Sequence, residues 1–208
     1  MRLAHPILLA LLIACEAAPP VGAPAAPVAF GFPLPERERF SVVIGVDHDP
    51  AEQSGTLGRL VCTAYDGAAF PACYDGHDGT DFLLEGGFDA MDAGSSPVVA
   101  AADGVVALVH DGEYDRCHPE GDDISCDGHP RVANRVHLQH FDGTVSWYLH
   151  LLQGSVAVEV GQVVRCGELL GLVGSSGYSS GPHLHFEVQR PSGEVVDPYA
   201  GPHSQPET

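Results

Sequence analysis

Short runs of β-branched and aromatic residues, separated by Gly, Pro, Asp or Ser, recur along most of this chain of 208 residues. No stretch sustains the 3.6-residue period of an amphipathic helix, so the pattern favours short strands joined by tight turns. The predicted strands are 40–44, 98–101, 104–109, 135–139, 144–149, 169–173 and 183–189. Asp142-Gly143 is a typical two-residue hairpin turn and predicts that 135–139 pairs with 144–149. We expect a mostly β, antiparallel sheet domain with few or no helices.

The charge of the chain restricts its partners. It has 28 Asp and Glu residues against 9 Lys and Arg, a formal net charge of −19. Phosphate backbones repel such a chain, so we expect no nucleic-acid partner. Hydrophobic residues make up 44% of the sequence, enough for one domain of ordinary size to bury a core.

The first fifteen residues predict an export signal. One positive charge precedes a short apolar run that ends in Leu-Ile-Ala-Cys at positions 12–15. The run is shorter than the roughly 20 residues that span a bilayer, which favours a signal over a membrane helix. The ending resembles the bacterial lipobox, in which the cysteine is diacylated and becomes the mature N-terminus. We therefore expect an exported protein, anchored to a bacterial membrane through lipidated Cys15 and facing the periplasm. The alternative is an ordinary cleaved signal in which Cys15 has no role.

The rest of the chain divides into three predicted parts. Residues 16–35 are rich in Pro and Ala and predict a linker, because proline disfavours a stable helix. Residues 36–200 contain the predicted strands and form the expected domain. Residues 201–208 form a tail.

Five cysteines remain after Cys15, and export places them in a compartment that permits disulfides. The pairs closest in sequence predict bridges Cys62–Cys73 and Cys117–Cys126, with Cys166 left as a free thiol. Sequence alone leaves other pairings open. The polar, Gly- and Asp-rich segment 111–131 would then be a long surface loop that the Cys117–Cys126 bridge staples.

Three short motifs contain side chains suited to metal chemistry: HDGTD at 77–81, YLHL at 148–151 and GPHLHFEV at 181–188. On a strand, His183 and His185 point to the same face, about 7 Å apart along the chain. Two histidines and a carboxylate are a common ligand set for catalytic zinc, with one position left open for water. The motifs therefore favour a zinc site.

The three motifs, in this order, resemble those of the lysostaphin-type (LytM-like) zinc metallopeptidases, peptidase family M23. The resemblance extends from about His77 to Pro198. It implies a β-rich fold with a groove over the sheet. It also implies that His77, Asp81 and His185 bind Zn²⁺ and that His150 and His183 are catalytic residues outside the ligand set. Members of this family typically cleave peptide cross-links, so the expected function is a lipid-anchored zinc metalloendopeptidase with peptidoglycan peptides as substrate.

The sequence is also compatible in part with other functions. A non-catalytic LytM-like module that activates cell-wall amidases is the main alternative, but such modules typically lack one or more of the five residues, all of which are present here. A peptidase that acts on proteins is a further alternative. The segment GYSSG at 177–181 fits the G-x-S-x-G motif of serine hydrolases, but it precedes Pro182 and a predicted strand instead of the required helix.

Overall fold

The computed structural model describes residues 27–47 and 76–199. The strands are β1 (Phe40–Ile44), β2 (Gly79–Leu84), β3 (Pro97–Val99), β4 (Gly104–His110), β5 (His118–Glu120), β6 (Asp123–Ser125), β7 (Arg135–Gln139), β8 (Val145–Leu149), β9 (Val163–Val164), β10 (Leu169–Leu172) and β11 (His183–Gln189). The described helices are α1 (Gly87–Asp92) and a 3-10 turn at Arg37–Arg39. None of these helices is long and apolar enough to cross a membrane.

Seven strands form the main sheet in the order β1-β2-β11-β8-β7-β4-β9, and each neighbouring pair is antiparallel. Two small sheets pair β10 with β3 and β5 with β6. The predicted hairpin is confirmed: β7 pairs with β8 in register, and Gly143 takes a left-handed φ of 87° in the turn. The expected fold class, mostly antiparallel β with few helices, is confirmed.

Strand β2 was absent from the predicted strands, although it lies inside the main sheet between β1 and β11. It begins with Gly79, Thr80 and Asp81, and Gly and Asp are uncommon in strands, so composition does not indicate it. Pairing with a neighbour on each side outweighs these weak local preferences. Its apolar residues Phe82 and Leu84 are both 1% exposed.

The two faces of the sheet have different chemistry, because successive side chains of a strand point to opposite faces. On β11, Leu184, Phe186 and Val188 are fully buried in the main hydrophobic core. The alternate residues His183 and His185, together with the following Glu187, lie on the other face. We call that other face the site face.

Residues 27–35 differ from the linker predicted for this part of the chain. Val28, Phe30 and Leu34 are at most 3% exposed and belong to the main core. The backbone of this segment also forms hydrogen bonds with residues 99 and 101. The N–H of Gly31 donates to the carbonyl of Ala101 at 2.8 Å, and the N–H of Val99 donates to the carbonyl of Pro33 at 2.9 Å. The prolines do keep the segment from forming a helix, but its apolar side chains supply core volume.

We expect Phe30→Ala to destabilise the protein strongly. The Phe30 ring packs edge-on against His140 at 5.0 Å and against Phe186 at 6.3 Å. Loss of a buried phenylalanine leaves a cavity, and the free energy of unfolding should fall by about 3–5 kcal/mol in denaturant titration. Phe141→Ala is the matched control, because Phe141 is 43% exposed and its loss should change stability by less than about 0.5 kcal/mol. Equal effects of the two variants would show that 27–35 does not pack on the core in solution.

The predicted Cys117–Cys126 disulfide is present and staples the β5–β6 hairpin within the long loop 111–131. The prediction of a free Cys166 is wrong, because Cys166 is disulfide-bonded. Its partner lies outside the described residues. Pairing cysteines by closeness in sequence cannot identify such a bridge. The predicted Cys62–Cys73 bridge, the signal with Cys15 and the tail 201–208 also lie outside the described residues.

Candidate metal centre

The three predicted metal ligands meet on the site face. Asp81 on β2 lies directly opposite His185 on β11, and His77 precedes β2 by two residues. His77 Nε2 is 3.2 Å from both Asp81 Oδ1 and His185 Nδ1, and His185 Nδ1 is 2.9 Å from Asp81 Oδ1. Tetrahedral zinc with bonds near 2.05 Å separates its ligand atoms by about 3.3 Å. The three residues therefore fit a zinc ion, with the fourth position left open.

Hydrogen bonds on the outer side of the two rings direct the remaining nitrogens towards the centre. His77 donates its Nδ1–H to the carbonyl of Gly45 at 2.7 Å, which leaves the Nε2 lone pair for a metal. His185 donates its Nε2–H to a carboxylate oxygen of Glu187 at 3.3 Å, which leaves Nδ1. Such outer partners fix the tautomer of a ligating histidine and raise its basicity.

The charges at the centre also favour a cation. Burial opposes ionisation of Asp81, but hydrogen bonds from His185 and His77 outweigh it and hold the pKa of this carboxyl well below its usual range. Burial likewise disfavours charge on His185, yet its hydrogen bonds to Asp81 and Glu187 raise the pKa of the ring to about 9. The ionised Asp81 carboxylate and the raised pKa of His185 together indicate that the centre stabilises positive charge.

His150 and His183 lie beside this cluster. His183 Nε2 is 3.8 Å from Asp81 Oδ1, and the centroids of the His150 and His183 rings are 4.4 Å apart. His150 follows β8 directly, and simple alternation after Leu149 would place its side chain on the core face. Instead its backbone adopts a left-handed φ of 65°, rare for a residue with a side chain, and its ring packs on the site face. Strain of this kind concentrates at functional sites.

Both of these rings are buried and neutral at neutral pH. His150 donates its Nδ1–H to the carbonyl of Ser176 at 2.6 Å, and His183 donates its Nδ1–H to the carbonyl of Gly181 at 2.7 Å. Burial lowers the pKa of His150 to about 3 and also lowers that of His183. Each ring therefore keeps an Nε2 with a free lone pair.

The loop 174–182 supplies both of these carbonyl groups and is itself held rigidly. The Ser176 hydroxyl accepts the N–H of Asn134 at 2.9 Å and donates to the carbonyl of Leu151 at 3.0 Å. The Ser175 hydroxyl donates to the carbonyl of Cys117 at 3.3 Å, which joins this loop to the disulfide-stapled loop. The strand β11 follows the GYSSG segment, as expected, so a nucleophile elbow is not formed.

Among the described residues, His77, Asp81 and His185 are the one group of three His, Cys, Asp or Glu side chains close enough to hold a metal ion. Residues 75–198, more than half of the chain, match the sequence profile of Peptidase family M23. The chain belongs to peptidase family M23. The match includes all five residues that the motifs indicated.

Curated relatives of this M23 member include two peptidases with names that state their activity. Peptidoglycan DD-endopeptidase ShyA from Vibrio cholerae serotype O1 is 35% identical over 112 residues, which are 54% of this chain and 20% of the relative. DD-carboxypeptidase/endopeptidase Mpg from Neisseria meningitidis serogroup B is 34% identical over 116 residues, which are 55% of this chain and 22% of the relative. The matched segment thus spans about a fifth of each relative's length.

Solved structures support the fold. The structure of the SpoIIQ–SpoIIIAH pore forming complex aligns with a TM-score of 0.51 at 22% identity, over 82% of this chain and 88% of that chain. At this identity the likeness concerns the fold alone. This M23 member therefore shares its fold with a chain of that complex.

Several groups that complete the centre were not identified from the sequence. Glu187 lies two residues after His185 on the same strand, so the alternation of β11 could have indicated it as a partner on the site face. The carbonyl groups of Gly45, Ser176 and Gly181 belong to the backbone and carry no signal in residue type. Gly79 has a specific role as well, because a Cβ there would lie 2.7 Å from the His185 ring.

We expect Gly79→Ala to weaken metal binding in this M23 member. The added methyl group would contact Cε1 and Nε2 of His185 and the carbonyl of Phe186, all at 2.7 Å, and would push the ligand ring out of position. Displacement of an outer partner typically costs about 10–100-fold in metal affinity, and we expect a loss in that range. Gly181→Ala is the control, because its Cβ would meet no atom within 4 Å. Competition with a zinc-binding dye measures both affinities, and unchanged zinc affinity in Gly79→Ala would contradict the packing described here.

Proposed function

We propose that this M23 member is a zinc-dependent metalloendopeptidase that hydrolyses peptide bonds in peptidoglycan cross-links. The observation that carries the proposal is the geometry of the centre: three ligand atoms 2.9–3.2 Å apart, with two neutral histidines beside them. The names of ShyA and Mpg support the substrate class, because both describe peptidases and that of ShyA specifies peptidoglycan.

The residues would share the chemistry as follows. His77, Asp81 and His185 would hold the zinc, which when bound lowers the pKa of a water molecule to near 7 and polarises a carbonyl group. His150 and His183, with Nδ1–H engaged by carbonyl groups, have Nε2 available to take a proton from the attacking water. The ring that takes the proton can then return it to the amine that leaves. Burial of both rings keeps bulk water from competing for these nitrogens.

The alternative of a non-catalytic module that activates amidases is not favoured. All five motif residues are present: the ligand atoms of His77, Asp81 and His185 lie within 4.8 Å of one another, and the centroids of the His150 and His183 rings are 4.4 Å apart. This arrangement supports an enzyme. A purely regulatory surface would not need the hydrogen bonds that fix the tautomers of these four histidines.

Attachment to a membrane through lipidated Cys15, with the domain exposed to the periplasm, is a further part of the proposal and rests on the lipobox-like sequence at 12–15. We expect Cys15→Ala to abolish incorporation of labelled fatty acid and to leave unprocessed precursor or soluble protein. Labelling that persists in the variant would refute the anchor. Metal content and peptidase activity should be unchanged, which separates anchoring from catalysis.

Digestion of purified peptidoglycan tests the proposed activity. The zinc-loaded protein, beginning no later than Val28 so that the core segment is retained, is incubated with intact peptidoglycan, and the released fragments are identified by mass spectrometry. The proposal predicts new amino and carboxyl ends within peptide cross-links. Release of whole stem peptides from the glycan, or no release at all, would contradict it.

A further inference from the structure

Three buried polar atoms without hydrogen-bond partners cluster on the site face, outside the metal centre. Within the described part of the chain, five buried side-chain nitrogen or oxygen atoms lack a partner, and three of them are Arg135 Nε, His137 Nε2 and Trp147 Nε1. Buried polar groups are normally paired, so a cluster of unpaired ones needs an explanation. All three belong to the adjacent strands β7 and β8.

The register of the sheet places these residues beside the metal centre. Leu149 on β8 lies opposite His185 of β11 on one side and opposite Arg135 of β7 on the other. The three residues therefore form one row across the sheet. The next row contains Glu187, Trp147 and His137. Neighbouring strands are about 4.8 Å apart, which puts the Cα of Arg135 about 10 Å from that of His185.

Arg135 lacks the ion pair that four of the seven described arginines have. Arg39, Arg116, Arg131 and Arg190 each pair with an Asp or Glu. No described carboxylate pairs with Arg135, although the chain has 28 acidic residues. A half-buried guanidinium that remains unpaired in so acidic a protein is available for a carboxylate from outside.

The neighbouring rings complete a site for an oxygen acceptor. Trp147 and His137 stack with ring centroids 4.0 Å apart. Arg135 and Trp147 carry hydrogen-bond donors and no side-chain acceptor, so this part of the site face favours an oxygen acceptor. Because Arg135 Nε and Trp147 Nε1 are buried, a ligand carboxylate would bind the terminal guanidinium nitrogens of Arg135. The nearby carboxylate of Glu187 accepts from His185 at 3.3 Å and from Gln189 at 2.5 Å, and it makes no hydrogen bond to Arg135 Nε or Trp147 Nε1.

We propose that Arg135, Trp147 and His137 form a substrate subsite that binds a free carboxylate of the peptide, one to three residues from the bond that is cleaved. An extended peptide advances about 3.4 Å per residue, so this spacing bridges the metal centre and Arg135. The inference rests on the proposed function, since it assigns the substrate class of the same centre. Peptides with a free carboxylate near the scissile bond would be bound in preference to their amides.

Trp147 is the single tryptophan of the chain, so its fluorescence reports binding at this subsite. The probes are uncrosslinked peptide fragments that a muramidase releases from peptidoglycan, and the same fragments after amidation of their carboxylates. We expect the zinc-loaded protein to bind the carboxylate form roughly 10- to 100-fold more tightly, as for a charged hydrogen bond. Arg135→Gln should lose this preference and Arg135→Lys should retain part of it. Arg165→Gln, which removes an exposed arginine, should behave as the wild type.

Several outcomes would overturn the subsite. They are an unchanged preference in Arg135→Gln, equal binding of both fragments by the wild type, or no change in Trp147 fluorescence with either fragment. Cleavage of intact peptidoglycan is measured in parallel. Carboxylate-dependent binding without cleavage would refute the proposed function but support the subsite. Cleavage by the wild type, together with an unchanged carboxylate preference in Arg135→Gln, would support the proposed function but refute the subsite.

Discussion

His185→Ala should purify with little zinc and have almost no peptidase activity. The ring supplies one of three protein ligands, and its Nδ1 lies 2.9 Å from Asp81 and 3.2 Å from His77. Loss of an outer partner alone costs about 10–100-fold in metal affinity, so loss of the ligand itself should cost more. Asp81→Ala should behave in the same way. Elemental analysis of the purified variants gives the metal content, and digestion of peptidoglycan gives the activity.

The control for this experiment is His129→Ala, which removes an exposed histidine that stacks on Tyr114 and is not part of the ligand cluster. It should retain both zinc and activity. Stoichiometric zinc in His185→Ala would mean that the metal is held elsewhere in the protein, and the assignment of ligands would be wrong.

His183→Ala should give a different result, with near-stoichiometric zinc and a rate reduced by roughly 10²–10⁴-fold, the contribution typical of a positioned acid or base. His183 shares β11 and the site face with His185, but the carbonyl of Gly181 orients its ring, and its Nε2 is 3.8 Å from the Asp81 oxygen. His150→Ala should follow the same pattern. Measured at saturating substrate, the loss should be in kcat, because the rings act on the transferring proton.

The comparison between His183→Ala and His185→Ala tests whether the two histidines have different roles. Equal zinc loss in His183→Ala and His185→Ala would refute the division between ligand and catalytic histidines. Full activity in His183→Ala would remove that residue from the catalytic set and leave His150 as the proton acceptor.

Local signals in the sequence predicted much of the fold. The Asp142-Gly143 turn and the alternation in 183–189 predicted the β7–β8 hairpin and β11, because turn chemistry and period-two patterning act over short distances. Strand β2 was missed because long-range pairing outweighs its poor strand composition. The core position of 27–35 was missed because a Pro-rich stretch looks like a tether, whereas Phe30 and Leu34 pack on the sheet.

The site was predicted as a set of residues but not as a geometry. The motifs indicated all five side chains, because metal ligation and proton transfer need particular residue types. The left-handed backbone of His150 and the carbonyl groups that orient the rings were not predictable, since they depend on how distant loops pack. The bond of Cys166 was mispredicted because sequence alone does not determine which cysteines pair.

Metal reconstitution of the stripped protein tests the central claim most directly. The metal-depleted protein is titrated with zinc while cleavage of peptidoglycan peptides is followed. The account predicts negligible activity before addition, a linear rise, and a plateau at about one zinc per chain, as expected if zinc binds at a tetrahedral site formed by His77, Asp81 and His185. Activity in the stripped protein equal to that of the reconstituted one, or no activity at any zinc content, would contradict it.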